Sequence, residues 1–181
     1  MPSFVPYISP LKITSSLESI AAYSAGHPGE NEDFLTFLEG VDPLLLDEMV
    51  MQLNGEIEPK IDCTQCGNCC STLMINVEDE AIERLSSALG QSNEDFRAQY
   101  IAPGFTRQIF NAIPCPFLKD CKCTVYASRP AGCREFPALD FPGFTNRMAS
   151  TIRHYDNCPI IFNVIEALKT RMGFAKQESS S

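Results

Sequence analysis

The chain has 181 residues, 44% of them hydrophobic, which suits one globular domain with an added helical segment and excludes a disordered polymer. Fourteen basic against twenty-three acidic residues leave a formal charge of −9, so no nucleic acid and no membrane is expected as a partner, because both recruit positive surface. No apolar stretch nears the roughly 20 residues needed to cross a bilayer, and Met1-Pro2-Ser3-Phe4-Val5-Pro6 lacks the basic and apolar regions of a signal peptide, so the expected location is cytoplasmic.

Residues 1–28 carry Pro2, Pro6, Pro10 and Pro28 and give only a weak helical signal around Ser15 to Ala25. A short helix is expected from Asn31 to Glu39, stopped by Gly40. The next is better marked, with Asp42 as N-cap, Pro43 at the first helical position and an apolar stripe of Leu45, Leu46, Met49, Val50 and Leu53 ended by Gly55. Thr72-Leu73-Met74-Ile75 reads as a short strand. Glu78 to Leu89 reads as a helix, with acidic residues favouring its N-terminus and Gly90 closing it. Ser92 with Asp95 three residues later resembles a capping box, opening a helix through about Ile101. Gln108-Ile109-Phe110 and Cys123-Thr124-Val125-Tyr126 are strand candidates around the loop Leu118 to Lys122. From Pro159, the residues Ile161, Val164, Ile165, Leu168 and Met172 recur at helical spacing up to Gly173. The expected fold is α+β and mostly helical. A cysteine-cluster domain over 61–160, organised around one or more metal centres with short strands, is flanked by an N-terminal helical extension (1–60). A C-terminal helix and mobile tail (161–181) complete it, the tail starting at Ala175.

Nine cysteines fall between Cys63 and Cys158. In a reducing compartment such a framework points to metal binding or redox chemistry rather than disulfides, and an odd number cannot all pair within one chain. Thiolates are the soft ligands that zinc and iron–sulfur centres select. The two-residue gap between Cys63 and Cys66 lets both sulfurs reach one metal, and Gly67 permits the tight turn that follows. Adjacent side chains diverge, so Cys69 and Cys70 read as a branch point, one sulfur for each of two centres. Cys63-x2-Cys66-x2-Cys69 matches the first three ligands of a bacterial ferredoxin run, whose remaining cysteine precedes proline. Here Cys115-Pro116 and Cys158-Pro159 both qualify. The pattern favours an iron–sulfur cluster, of the 4Fe-4S type, on the triplet and one of those two. Zinc explains the Cys-x2-Cys-Gly unit equally well and stands second.

Cys63-x2-Cys66-x2-Cys69-Cys70, Cys115-Pro116-Phe117-Leu118, Cys123-Thr124-Val125-Tyr126-x2-Arg129-Pro130-x2-Cys133-Arg134-Glu135-Phe136-Pro137 and a late Cys158 resemble, in order, the YkgJ-type CxxCxxCC cysteine-cluster family. The resemblance covers about residues 61–160. It implies a zinc- or iron-chelating domain with eight ligands: Cys63, Cys66, Cys69, Cys70, Cys115, Cys123, Cys133 and Cys158. Cys121 departs from the pattern and reads as an extra thiol or a locally substituted ligand. Members are often labelled iron–sulfur oxidoreductases, and the domain resembles part of the enzymes that methylate flagellin lysines. The chain has no Gly-x-Gly-x-x-Gly run, and its cysteine gaps do not match the Cys-x3-Cys-x2-Cys motif of radical enzymes using S-adenosylmethionine.

Arg129 and Arg134 flank Cys133 and are candidates for supporting the cofactor by hydrogen bonds to its sulfurs; the alternative is a structural pair with Glu135 or Asp140. Tyr126 reads as a packed aromatic at a strand end, His154 as a surface or core histidine, and His27 as solvent-facing. The sequence points to a metal-binding protein serving electron transfer or assisting a protein-modifying enzyme. The alternatives are a structural zinc module presenting a surface to a protein partner, and a redox or protein-modifying enzyme with an open metal position.

Overall fold

The computed structural model describes residues 12–104 and 106–174; the tail from Ala175 lies outside the described residues. The first helix, α1 (Leu17–Gly26), starts where the Ser16 side chain accepts the Ser19 N–H. After it, α2 (Glu30–Leu38) buries Phe34 and Leu38. The third helix, α3 (Pro43–Ile57), opens as its cap residues dictate: one Asp42 carboxylate oxygen accepts the N–H groups of Leu44 and Leu45 at 2.9 and 3.0 Å. It runs past Gly55, because its inward face continues through Asn54 to Ile57. Leu45 falls off that face and is 44% exposed.

The cysteine run folds as two short helices, α4 (Cys63–Cys66) and α5 (Asn68–Thr72), hinged at Gly67. The strand expected over Thr72–Ile75 does not form, since α5 claims Thr72 and only Asn76 makes an isolated bridge, to Ile109. Then come α6 (Asp79–Leu89), closed by left-handed Gly90, and α7 (Asn93–Tyr100). The Ser92 hydroxyl accepts the Asp95 N–H at 3.0 Å and donates to the Asp95 carboxylate at 2.6 Å. Among the described residues, the one small sheet pairs β1 (Leu118–Lys119) with β2 (Lys122–Cys123), register Leu118 to Cys123. It is shorter than the expected hairpin. Ile109 and Phe110 bridge only singly to Asn76 and Ile101, and Tyr126–Ser128 turn into a 3-10 helix. Next are α8 (Ala131–Glu135), α9 (Met148–Ile152) and α10 (Pro159–Arg171).

The chain divides into two compact units, one of the residues through Ile61 and from Pro137 onward, the other Asp62–Phe136. In the first, α3 packs on α10, which also meets α1 and α9. Leu46, Leu53, Ile161, Val164, Ile165 and Leu168 are fully buried there, each removal from water contributing about 1.5–3 kcal/mol. Asp47 of α3 accepts the N–H groups of Gly143 and Phe144 at 2.6 and 2.7 Å, fixing the turn at Phe144–Asn146. Lys169, 5% exposed at its side chain, contacts Glu166 at 2.7 Å and Glu30 at 3.2 Å. His27, expected in solvent, stacks on Tyr23 with ring centroids 4.1 Å apart.

In the second unit, the apolar faces of α6 and α7 close over Val77, Phe110 and Phe117, and Cys115, Cys123 and Val125 pack against this core. No helix among the described residues is long and apolar enough to cross a membrane.

Candidate metal centre

The knuckle starts at Asp62, whose carboxylate accepts the Thr64 N–H at 2.9 Å, the Thr64 hydroxyl at 2.6 Å and the Gln65 amide at 2.9 Å. These bonds hold its carboxyl below the usual range and start α4, which sets Cys63 and Cys66 one turn apart. Gly67 ends α4 at φ +59° and starts α5. A Cβ there would stand 3.0 Å from the Cys121 Cα and 3.1 Å from its carbonyl oxygen. The tip of the β1–β2 hairpin, with Asp120 and Cys121 both left-handed (φ 49° and 60°), therefore sits directly on the knuckle. Cys63 and Cys121 are exposed and Cys66 half-buried.

One turn on, the other arm of the cysteine run enters a second group. The Cys115 N–H donates to the Cys70 carbonyl at 2.8 Å, β2 carries Cys123 opposite Leu118, and α8 carries Cys133. The thiols of Cys70, Cys115, Cys123 and Cys133 lie near enough to act on one another's charge. A hydrogen bond from the Cys69 thiol, opposed by burial and aided by the Arg129 guanidinium, brings the Cys70 thiol down to about 6. Burial, and then the charges of Cys70, Cys115 and Cys123, push the Cys133 thiol up to about 12 despite Arg129. Burial likewise raises Cys115 and Cys123, with Cys70 adding to both.

Arg129 is the cation of this group. Its guanidinium lies 3.5 Å from the centroid of the Tyr126 ring, and its Nε donates to the Tyr126 carbonyl at 3.0 Å. Tyr126, expected to be packed, is 55% exposed and acts as the platform under Arg129. Arg134 is exposed on α8. Cys158, the eighth cysteine of the expected ligand set, belongs to the other unit, where it is 6% exposed and precedes α10. His154 is half-buried, its imidazole held below its usual value by burial and by Arg153. Among the described residues, no three His, Cys, Asp or Glu side chains meet in a metal-coordinating arrangement. By its chemistry the donor set of the second unit still fits a metal: sulfur is the soft donor that zinc and iron select, and a bound cation would supply the positive charge that lets the raised thiols ionise.

Two residues near this group had no signal in cysteine spacing. Glu78 accepts the Ala131 N–H at 2.8 Å and contacts Arg84 at 3.2 Å. Burial raises its carboxyl, but the N–H groups of Glu78 and Ala131 and the Arg84 guanidinium outweigh that and leave it below its usual range. Fifty-three residues separate Glu78 from Ala131, so only the fold joins them.

A family model described as “CxxCxxCC: Putative zinc- or iron-chelating domain” matches residues 62–159. No curated protein and no solved structure matches the chain.

Proposed function

The chain belongs to the CxxCxxCC family of zinc- or iron-chelating domains, and from that premise we propose that it binds a cysteine-ligated iron–sulfur centre and serves electron transfer or assists a protein-modifying enzyme. The observation that carries the reading is the gathering of Cys70, Cys115, Cys123 and Cys133, half-buried beside the Arg129 guanidinium. Those four are the proposed ligands of one centre. The triplet Cys63, Cys66 and Cys69 is proposed for a second on its ferredoxin-like spacing, with the Cys69 thiol, hydrogen-bonded to Cys70, standing between the two. Cys158 is retained as a ligand on the family resemblance alone. Arg129 supports the first centre through its charge, a role that tunes affinity and potential; Arg134 is its proposed companion. The acidic balance of the chain favours a protein partner over nucleic acid or membrane, and nine cysteines that cannot all pair within one chain favour a reducing, cytoplasmic setting.

Zinc is the second reading, favoured by the Cys63-x2-Cys66-Gly67 knuckle with its left-handed glycine. Anaerobic purification decides between them. Iron–sulfur protein is brown, absorbs broadly near roughly 400 nm and releases inorganic sulfide. Stoichiometric zinc in colourless protein that iron and sulfide cannot reconstitute overturns the first reading.

A further inference from the structure

Cys133 and Arg129 sit on one short stretch, and that stretch is not held by its own residues. The turn into α8 has Pro130 at its N-cap with no side-chain hydrogen bond to the helix, which leaves the first amide, Ala131 N–H, to be satisfied from elsewhere. Glu78, at the start of α6, satisfies it at 2.8 Å through Oε1. Arg84, two turns along α6, ties the same stretch a second time. Its Nη2 lies 3.2 Å from Glu78 Oε1 and donates to the Arg129 carbonyl at 3.4 Å. Carboxylate and guanidinium thus clasp Arg129 and Ala131 from both sides of Pro130, while α6 packs on the turn at Tyr126–Ser128 just before them.

We infer that Glu78 and Arg84 are positioning residues for the metal centre, holding the Arg129–Cys133 stretch so that the Cys133 thiol and the Arg129 guanidinium meet the other three thiols. The inference rests on the reading that Cys70, Cys115, Cys123 and Cys133 bind metal. Both residues reach the stretch at its backbone. They act through the backbone of the stretch that carries Cys133 and Arg129, so their loss loosens the site rather than removing a donor.

Cobalt(II) titration of the reduced full chain tests this, with affinity read by chelator competition and geometry by the visible cobalt–thiolate spectrum. Cys133→Ser comes first: if it binds cobalt with unchanged affinity and spectrum, the metal reading of the four thiols fails and the inference with it. If Cys133→Ser weakens binding, Glu78→Ala is expected to weaken it roughly tenfold and to alter the spectrum. Glu78→Gln keeps an oxygen for the Ala131 N–H and is expected to restore the wild-type spectrum. Asp47→Ala removes a comparable carboxylate-to-backbone clasp in the other unit and is expected to lower stability with the spectrum unchanged. Wild-type affinity and spectrum in Glu78→Ala overturn the inference while leaving the metal reading intact. Should Glu78→Ala not fold, Arg84→Met decides by the same two readouts.

Discussion

The backbone N–H of Cys115 donates to the carbonyl of Cys70 at 2.8 Å, so the loop before β1 is stitched to the end of the cysteine run by main chain, independently of any thiol. Both side chains enter the same half-buried group with Cys123 and Cys133. The backbone link separates folding from coordination at these two positions.

Serine substitution exploits that separation. Cys70→Ser keeps the carbonyl and is expected to leave the melting temperature of the metal-free protein within a few degrees of wild type, a loss of under about 1 kcal/mol for one exposed-to-half-buried thiol. Its metal content is expected to fall. With two centres, Cys63→Ser removes a different fraction of the metal and the double variant removes the sum. Elemental analysis of the three proteins checks this, and a double variant that loses no more metal than either single variant contradicts the division at Cys69–Cys70.

Gly67 lets the hairpin tip rest on the knuckle, and its replacement carries two separable costs. Gly67 and Gly90 both hold positive φ, +59° and +68°, but a Cβ at Gly90 meets nothing within 4 Å, whereas one at Gly67 meets Cys121 backbone at 3.0 Å. Gly90→Ala is expected to cost about 1–2 kcal/mol for the left-handed conformation alone. Gly67→Ala pays that and must also push the hairpin away. Urea denaturation of the metal-free protein is expected to rank Gly67→Ala as the more destabilised of the two. Equal losses show that the hairpin yields freely.

The elements that were legible in the sequence have their causes close by in the chain. Asp42 with Pro43 starts α3, Ser92 with Asp95 starts α7, Gly90 ends α6, and the stripe from Ile161 to Leu168 is buried along α10. Short apolar runs were not legible. Thr72–Ile75 has β-forming residues but, among the described residues, pairs only at its end, where the Ile75 carbonyl accepts the Phe110 N–H, and α5 takes its first residue. The site divides in the same way. The Cys63–Cys66 knuckle closed by Gly67 was legible because its cause is local, whereas Cys69 and Cys70, expected to part, are joined by a hydrogen bond between their thiols. That Cys70 joins Cys115, Cys123 and Cys133, and that Glu78 reaches Ala131, depends on how α6 and the hairpin pack, which no local pattern encodes.

Cys121 is the thiol outside the family pattern, and it is exposed at the hairpin tip with its backbone against Gly67. Its contact with the knuckle is made by main chain and Cβ, which serine retains. Cys121→Ser is therefore expected to keep the metal content and the spectrum of the wild type. Loss of metal in this variant makes Cys121 a ligand of the Cys63–Cys66 knuckle.

The first unit carries an alkaline liability. The hydroxyls of Tyr23 and Tyr155 both donate to Glu166, at 2.8 and 2.6 Å. Burial first, then these bonds and the Glu166 charge, raise both phenols above their ordinary value of about 10. Glu30 adds to both; Lys169 bonds Glu166 and Glu30, and His27 stacks on Tyr23. A raised folded pKa means that the native state keeps its proton where the unfolded chain has lost it, so stability falls as pH rises through that window. The contribution is complete below about pH 10 and is lost above it. The urea midpoint of the wild type is expected to decline from about pH 10 upward. A Tyr23→Phe/Tyr155→Phe variant starts lower at pH 8, by about 3–6 kcal/mol for two hydrogen bonds to a carboxylate. It is expected to decline less steeply, because phenylalanine has no proton to lose. Parallel slopes in the two proteins place the alkaline sensitivity elsewhere.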